Sequence, residues 1–338
     1  MKLITPPHQS DRRRVSRRFV SAVGVFAALL DATPSVASAQ RADSSGYVTV
    51  EDGTRVYFEV HGRARDTVIV PGGVMLAPHL SALGTEFTVV FYDPRGRGKS
   101  DWVDDARRVT VADEVRDLEA VRAHFRISRA AIVGFSYLGL VSAIYAADNP
   151  QQVSRLVLMG PMAPDLQTAS RYAPPERKAR TDAATAKFTR ARAGADTTDF
   201  AADCRRWYDA YGQLYVGDPG DASRITTEFC VLQNESPSRL FWRNEQFNRS
   251  LGRRWDYTRK AAMIRAPTLV IQGDRDLAVS PDGARRWTEL IQDARLIMLA
   301  GAGHLTYLER HERVMPALER FLKGQWPGEA MQLRTTRD

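Results

Sequence analysis

From residue 46 onward, short β-branched and aromatic runs alternate with longer stretches in which apolar residues recur every three or four positions. The short runs are Tyr47 to Val50, Val56 to Val60, Val68 to Val70, Thr88 to Tyr92, Ala131 to Val133 and Leu156 to Met159; the pattern resumes at Thr268 to Ile271 and Leu296 to Leu299. Strand, helix, strand in this order predicts an α/β architecture with a mostly parallel, eight-stranded sheet flanked by helices. The first two runs enclose Asp52-Gly53, a tight-turn signal, and are expected to pair as an antiparallel hairpin at the sheet edge. Thr110-Val111-Ala112-Asp113 reads as a capping box that opens a helix, with Val111, Val115, Leu118, Val121 and Phe125 on one buried face. Further helices are expected around 282–291 and over Val314, Leu318, Phe321 and Leu322. Between 163 and 262 the alternation breaks into charged, alanine-rich and aromatic helical stretches, the pattern of an inserted helical cap. The expected layout is therefore core over 40–162, cap over 163–262, core again over 263–325, and a tail over 326–338.

Residues 1–39 stand apart. They carry six basic groups against two acidic ones, half of the chain's net charge of +8. The basic block precedes the apolar run Phe19 to Leu30 and then Ala37-Ser38-Ala39, the layout of a cleaved signal peptide. A run of twelve residues is too short to span a bilayer, which takes about 20. The expectation is a periplasmic or secreted protein with no stable membrane insertion after cleavage. Ser16-Arg17-Arg18-Phe19 resembles a twin-arginine signal with its aromatic residue one place early, so both the general secretory and the twin-arginine routes stay open. The remaining charge is mixed in sign, with no basic stripe, and predicts no nucleic-acid partner. Two cysteines are too few for a cysteine-based zinc site and the six histidines form no HExxH pattern, so neither metal nor cofactor is expected. Cys204 and Cys230, 26 positions apart in the cap, are open to pairing in an oxidising compartment, the alternative being two buried thiols.

The candidate chemistry begins where the strand Ala131 to Val133 runs into Gly134-Phe135-Ser136-Tyr137-Leu138-Gly139 and then a helix. A sharp strand-to-helix turn through Gly-x-Ser exposes the serine hydroxyl above the sheet at a helix N-terminus, which favours developing negative charge. Such a serine needs a base, and the base a carboxylate to orient it. His304 follows the last strand in Gly301-Ala302-Gly303-His304, and Asp276 follows the preceding one in Gly273-Asp274-Arg275-Asp276. In a parallel sheet both lie at the edge that carries Ser136. Asp274 competes with Asp276, and His311, at the start of a helix, is a weaker rival to His304. The chain order Ser, Asp, His is that of the hydrolases.

Taken together, residues 46–325 resemble the α/β-hydrolase fold family. Beyond the three segments above, Tyr92-Asp93-Pro94-Arg95-Gly96-Arg97-Gly98-Lys99-Ser100 is similar to the family's Asp-x-Arg-Gly-x-Gly-x-Ser loop. Its glycines suit a tight turn, and Asp93 and Arg95 are available for internal ion pairing. The resemblance implies oxyanion donors at the backbone N–H groups of Gly73, in Pro71-Gly72-Gly73, and Tyr137. It also implies no cofactor and a small ester or short peptide as substrate. Two positions depart from the family. Leu138 stands where a small residue is usual, so close packing behind the turn has to be relieved elsewhere, and Pro71 stands where histidine is commoner.

The cap aromatics Trp207, Tyr208, Tyr211, Tyr215, Phe229, Phe241, Trp242 and Phe247 are expected to form mainly the cap's own core. Trp242 to Phe247 and the later Trp255-Asp256 resemble the cap of proline iminopeptidases. That likeness implies substrate contacts at Trp242 and Glu245, with Glu245 as anchor for a free amino group; a solvated helix-face glutamate is the plain alternative. The peptidases' His-Gly-Gly-Pro-Gly and Gly-Gly-Ser-Trp-Gly segments are absent. The leading expectation is an exported serine hydrolase of small esters or amides. A proline iminopeptidase-like aminopeptidase and a catalytically silent ligand-binding protein of the same fold are the alternatives.

Overall fold

A computed structural model describes residues 42–333. The expected signal peptide and the last five residues of the tail lie outside the described residues. The chain builds eight strands: β1 (Ser44–Thr49), β2 (Arg55–His61), β3 (Thr67–Pro71), β4 (Thr88–Tyr92), β5 (Ala130–Phe135), β6 (Val153–Met159), β7 (Thr268–Gly273) and β8 (Ala294–Leu299). They form one sheet in the order β1-β2-β4-β3-β5-β6-β7-β8. β2 runs antiparallel to both its neighbours, β1 and β4, while every other pair is parallel.

Strands β3 and β4, and β6 from Leu156 onward, are apolar at nearly every position because both faces of the sheet are covered. Ile69, Val90, Leu156 and Leu158 point to one core, shared with α2 (Val111–His124) and α3 (Tyr137–Asp148) through Leu118, Leu140 and Ile144. Val68, Val70, Val89, Phe91 and Val157 point to the other, shared with α1 (Gly73–Leu80) and the C-terminal helix through Leu76, Val314, Leu318 and Phe321. The capping box of α2 forms, with Thr110 Oγ1 accepting from the Asp113 N–H at 3.1 Å.

Between β6 and β7 lie α4 (Leu166–Ser170), α5 (Pro175–Arg192), α6 (Phe200–Tyr211), α7 (Pro237–Leu251) and α8 (Thr258–Ala261), with short 3-10 turns between α6 and α7. The core is completed by α9 (Pro281–Leu290), α10 (Thr306–Glu309) and α11 (His311–Leu322). Helix α7 meets the core through buried polar contacts. The Arg243 guanidinium pairs with Glu114 of α2, and its Nε donates to the Arg95 carbonyl at 2.9 Å. Just before α7, Asn234 Nδ2 donates to the carbonyls of Gly98 and Ser100 at 3.2 and 2.7 Å. Cys204 of α6 and Cys230 form a buried disulfide. Among the described residues, no helix is long and apolar enough to cross a membrane.

Candidate active site

Strands β3, β5, β7 and β8 all end on one edge of the sheet, and the site is built from the segments that leave them. Ser136 follows β5 directly and takes φ 57° with ψ −127°, a sparsely populated conformation that costs a non-glycine residue about 1–3 kcal/mol. Three backbone bonds hold it there. Its N–H donates to the Met159 carbonyl, and its own carbonyl accepts from Gly139 and Met162, each at 3.0 Å. The helix behind the turn approaches the sheet closely through two glycines. A Cβ on Gly134 would lie 2.7 Å from the Leu138 carbonyl oxygen, and one on Gly139 would lie 3.1 Å from Pro161 Cβ. That is where the crowding expected from Leu138 is relieved, and the Leu138 side chain turns toward Gly72 and the cavity.

The three sequence-predicted side chains meet at this edge. His304 Nε2 lies 3.0 Å from Ser136 Oγ, and His304 Nδ1 lies 2.7 Å from Asp276 Oδ2. Asp276 is fully buried and completely engaged: Oδ1 accepts from the N–H groups of Ala278 and Val279 at 2.8 and 2.9 Å, and Oδ2 also accepts from Gln272 Nε2 at 2.8 Å. The rival Asp274 is exposed and accepts instead from the Gly301 N–H at 2.7 Å, tying two loops together. His311 opens α11 with Nδ1 3.2 Å from the Tyr307 carbonyl. The His304 loop is clamped by the cap, since the N–H groups of His304 and Leu305 both donate to the Tyr215 carbonyl at 2.9 and 3.0 Å. Glu309 braces the same junction, accepting from Gly303 and Gly217 at 2.9 and 2.8 Å.

Tyr137 and Gly73 are each the first residue of a helix, so neither N–H has an intrahelical acceptor. The next N–H after Gly73, that of Val74, is already bound to Asp93 Oδ1 at 2.6 Å. A Cβ at Gly73 would lie 3.2 Å from both Asp93 Oδ1 and Phe91 Cβ, so a larger residue here would have to push those neighbours back by a few tenths of an ångström. The Asp93 loop divides its labour differently from the expected pairing. Arg95 does pair, gripping Asp117 through two bonds of 2.7 and 2.6 Å and Asp52 through a third of 2.9 Å. Asp93 binds main-chain N–H groups instead, those of Val74 and Lys99, and burial pushes its carboxyl up to about 7.

Above Ser136 opens a cavity of about 210 Å³, walled mostly by Met75, Phe135, Leu138, Tyr208, Tyr307 and their apolar neighbours. Five of the eight cap aromatics, Trp207, Tyr208, Tyr215, Phe229 and Phe241, line it while also packing on one another, so these side chains serve the cavity wall as well as the cap's own core. Burial holds the Tyr208, Tyr215 and Tyr307 hydroxyls above the ordinary phenol range, so they face the cavity protonated. His79 also lines the wall; burial, and then nearby His311, lowers its pKa and keeps it neutral. Among the described residues, no aspartate or glutamate lines this cavity.

The two cap residues taken from the peptidase likeness lie elsewhere. Glu245 sits on the exposed face of α7, paired with Arg249 one turn on at 2.5 Å. Trp242 packs on Trp102, ring centroids 5.2 Å apart, outside the cavity lining. The helical phase of α7 decides this: Phe241 and Asn244 face the cavity, so Glu245, a further 100° round, does not. Sequence reasoning missed Arg97, which lines the cavity, and Glu235, which pairs with it from the cap at 2.8 Å. They are 138 positions apart, and no local pattern signals such a pair. Among the described residues, no group of three or more His, Cys, Asp or Glu side chains could hold a metal ion.

Comparison with known proteins agrees with this architecture. The chain is 22% identical over 247 residues to the proline iminopeptidase of Lactobacillus helveticus, covering 69% of this chain and 79% of that one. Among solved structures, the enol-lactonase of Burkholderia xenovorans LB400 superposes with a TM-score of 0.63 at 22% identity, covering 82% of this chain and all of the other. An esterase from Exiguobacterium antarcticum superposes with a TM-score of 0.62 at 19% identity, over 82% of this chain and 98% of its own. A family model described as the alpha/beta hydrolase fold matches residues 60–311, three-quarters of the sequence, and with the sheet order and strand-end site above it identifies the chain as a member of the α/β-hydrolase fold family.

Proposed function

We propose that this protein is a serine hydrolase that cleaves small carboxylic esters through an acyl-enzyme. One observation carries the reading: Ser136, His304 and Asp276 form a continuous hydrogen-bonded relay, 3.0 and 2.7 Å long, beneath an aromatic cavity without a carboxylate. With its Nδ1 proton held by Asp276, His304 presents a bare Nε2 to Ser136. Ser136 Oγ attacks the acyl carbon as its proton passes to Nε2, and Asp276 stabilises the imidazolium that results. The N–H groups of Gly73 and Tyr137 take the negative oxygen of the tetrahedral intermediate. His304 then returns the proton to the leaving alcohol. Water repeats the cycle on the acyl-enzyme and frees the acid.

Aminopeptidase activity is a second reading, favoured by the likeness to the Lactobacillus helveticus iminopeptidase. An aminopeptidase needs a counter-charge for the substrate's ammonium, and the cavity lining contains no acid. Assaying p-nitrophenyl acyl esters beside proline-p-nitroanilide separates the two. The ester reading expects ester turnover that Ser136→Ala abolishes and labelling of Ser136 by a fluorophosphonate; absent labelling sinks both enzyme readings, and faster cleavage of the anilide reverses their order. We further propose export with removal of residues 1–39, supported by the basic-then-apolar N-terminus and the Cys204–Cys230 disulfide. N-terminal sequencing of protein from the periplasm or medium should begin at Gln40; an intact cytoplasmic N-terminus refutes it.

A further inference from the structure

We infer that the cavity above Ser136 selects substrates carrying a carboxylate, and that the free edge of the Arg97 guanidinium receives it. The inference deepens the ester-hydrolase reading and rests on it. Arg97 is 7% exposed and lines the cavity, the one arginine or lysine among the described residues that does. One edge of its guanidinium is spent on Glu235: Nε donates to Oε1 at 3.0 Å and Nη2 to Oε2 at 2.8 Å. The other edge is not. Nη1 makes no hydrogen bond among the described residues, and the remaining contact of Nη2 is the Met75 sulfur at 3.6 Å, a weak acceptor that also lines the cavity.

Although the side chain as a whole is buried, Nη1 is not sealed off from solvent, so it stays open to a ligand in the cavity, and the open end of a guanidinium presents two parallel N–H groups, the geometry of a carboxylate. Glu235 leaves that end open. It occupies the adjoining Nε/Nη2 edge, is fully buried, and directs its charge at three donors, the third being the Gly98 N–H at 2.7 Å. Arg97 and Gly98 hold its carboxyl below the ordinary range despite burial. Nothing acidic lines the cavity to repel a second carboxylate, and His79 is neutral. Ser136 and Arg97 line one cavity of about 210 Å³, which leaves room for a short acyl chain between the scissile carbonyl and the guanidinium. The aromatic wall is left for an apolar alcohol. The substrate class is then a half-ester of a short dicarboxylic acid with an apolar alcohol.

Binding to the Ser136→Ala protein tests this without turnover, by calorimetry with benzyl hemisuccinate and its uncharged isostere benzyl succinamate. The carboxylate is expected to bind about tenfold tighter, the usual difference between a charge-assisted and a neutral hydrogen bond. Adding Arg97→Gln with Glu235→Gln, which removes both charges together, should bring the two compounds within about twofold. Equal affinities in the Ser136→Ala protein, no binding of either compound, or a preference that survives the loss of Arg97 overturns the inference. Should the triple variant not fold, the comparison of isosteres decides alone. Failure here leaves ester hydrolysis standing, because that reading is tested by turnover of p-nitrophenyl esters.

Discussion

Asp276→Asn is the sharpest test of the relay because its outcome follows from the hydrogen bonds around one side chain. The native carboxylate accepts on both oxygens: Oδ1 from the rigid N–H groups of Ala278 and Val279, Oδ2 from His304 and Gln272. An asparagine has one acceptor and one donor end. Placing its NH₂ toward the two backbone N–H groups would set donors against donors in a buried site. The reverse placement keeps both backbone bonds and turns the NH₂ toward Gln272 and His304. Gln272 can meet it by rotating its amide, which brings its unpartnered Oε1 to the new NH₂ at the expense of the Nε2 bond to the Gly273 carbonyl. His304 Nδ1 then becomes an acceptor, the ring proton moves to Nε2, and the nitrogen facing Ser136 is no longer a base. The fold is kept while kcat falls by about 10⁴, equivalent to about 5 kcal/mol of transition-state stabilisation. The assay is p-nitrophenyl butyrate hydrolysis, with Asp274→Asn as control, because Asp274 is exposed and its one bond to Gly301 survives as an amide oxygen. A fall of less than tenfold in Asp276→Asn, or an equal fall in Asp274→Asn, refutes the assignment.

Two further outcomes concern the cap. Cys204→Ser with Cys230→Ser opens a closure of 26 positions and should cost about 3.5 kcal/mol on the loop-entropy model, lowering Tm by roughly 7 °C at about 2 °C per kcal/mol in a chain of this size. Scanning calorimetry that finds an unchanged Tm removes the disulfide as a cap staple. Arg243→Met leaves Glu114, fully buried, without its counter-ion and should cost about 3–5 kcal/mol in urea unfolding; adding Glu114→Leu should recover most of it. A single-variant loss below about 1 kcal/mol contradicts the view that this pair seats α7 on the core.

The eight-stranded sheet was legible because its signals are local. Thr88 to Tyr92 agrees with β4 residue for residue, and the other strands differ by a few positions at their ends. Alternation of side chains along a strand, and a Gly-x-Ser turn at its end, need no knowledge of distant residues. The order of the strands also placed Ser136, Asp276 and His304 at one edge, because parallel strands deliver their following loops to the same side. Only the tertiary structure decided between Asp274 and Asp276, two positions apart on one loop, by burying one against Gln272 and leaving the other in solvent. It also turned Glu245 outward and brought Glu235 to Arg97 across 138 positions. Which face of a cap helix meets the cavity depends on how that helix is seated, and buried pairs such as Arg243 with Glu114 seat it through contacts no short stretch of sequence contains. The chemistry of the site was thus written locally, whereas the walls that select its substrate depend on long-range docking of cap on core.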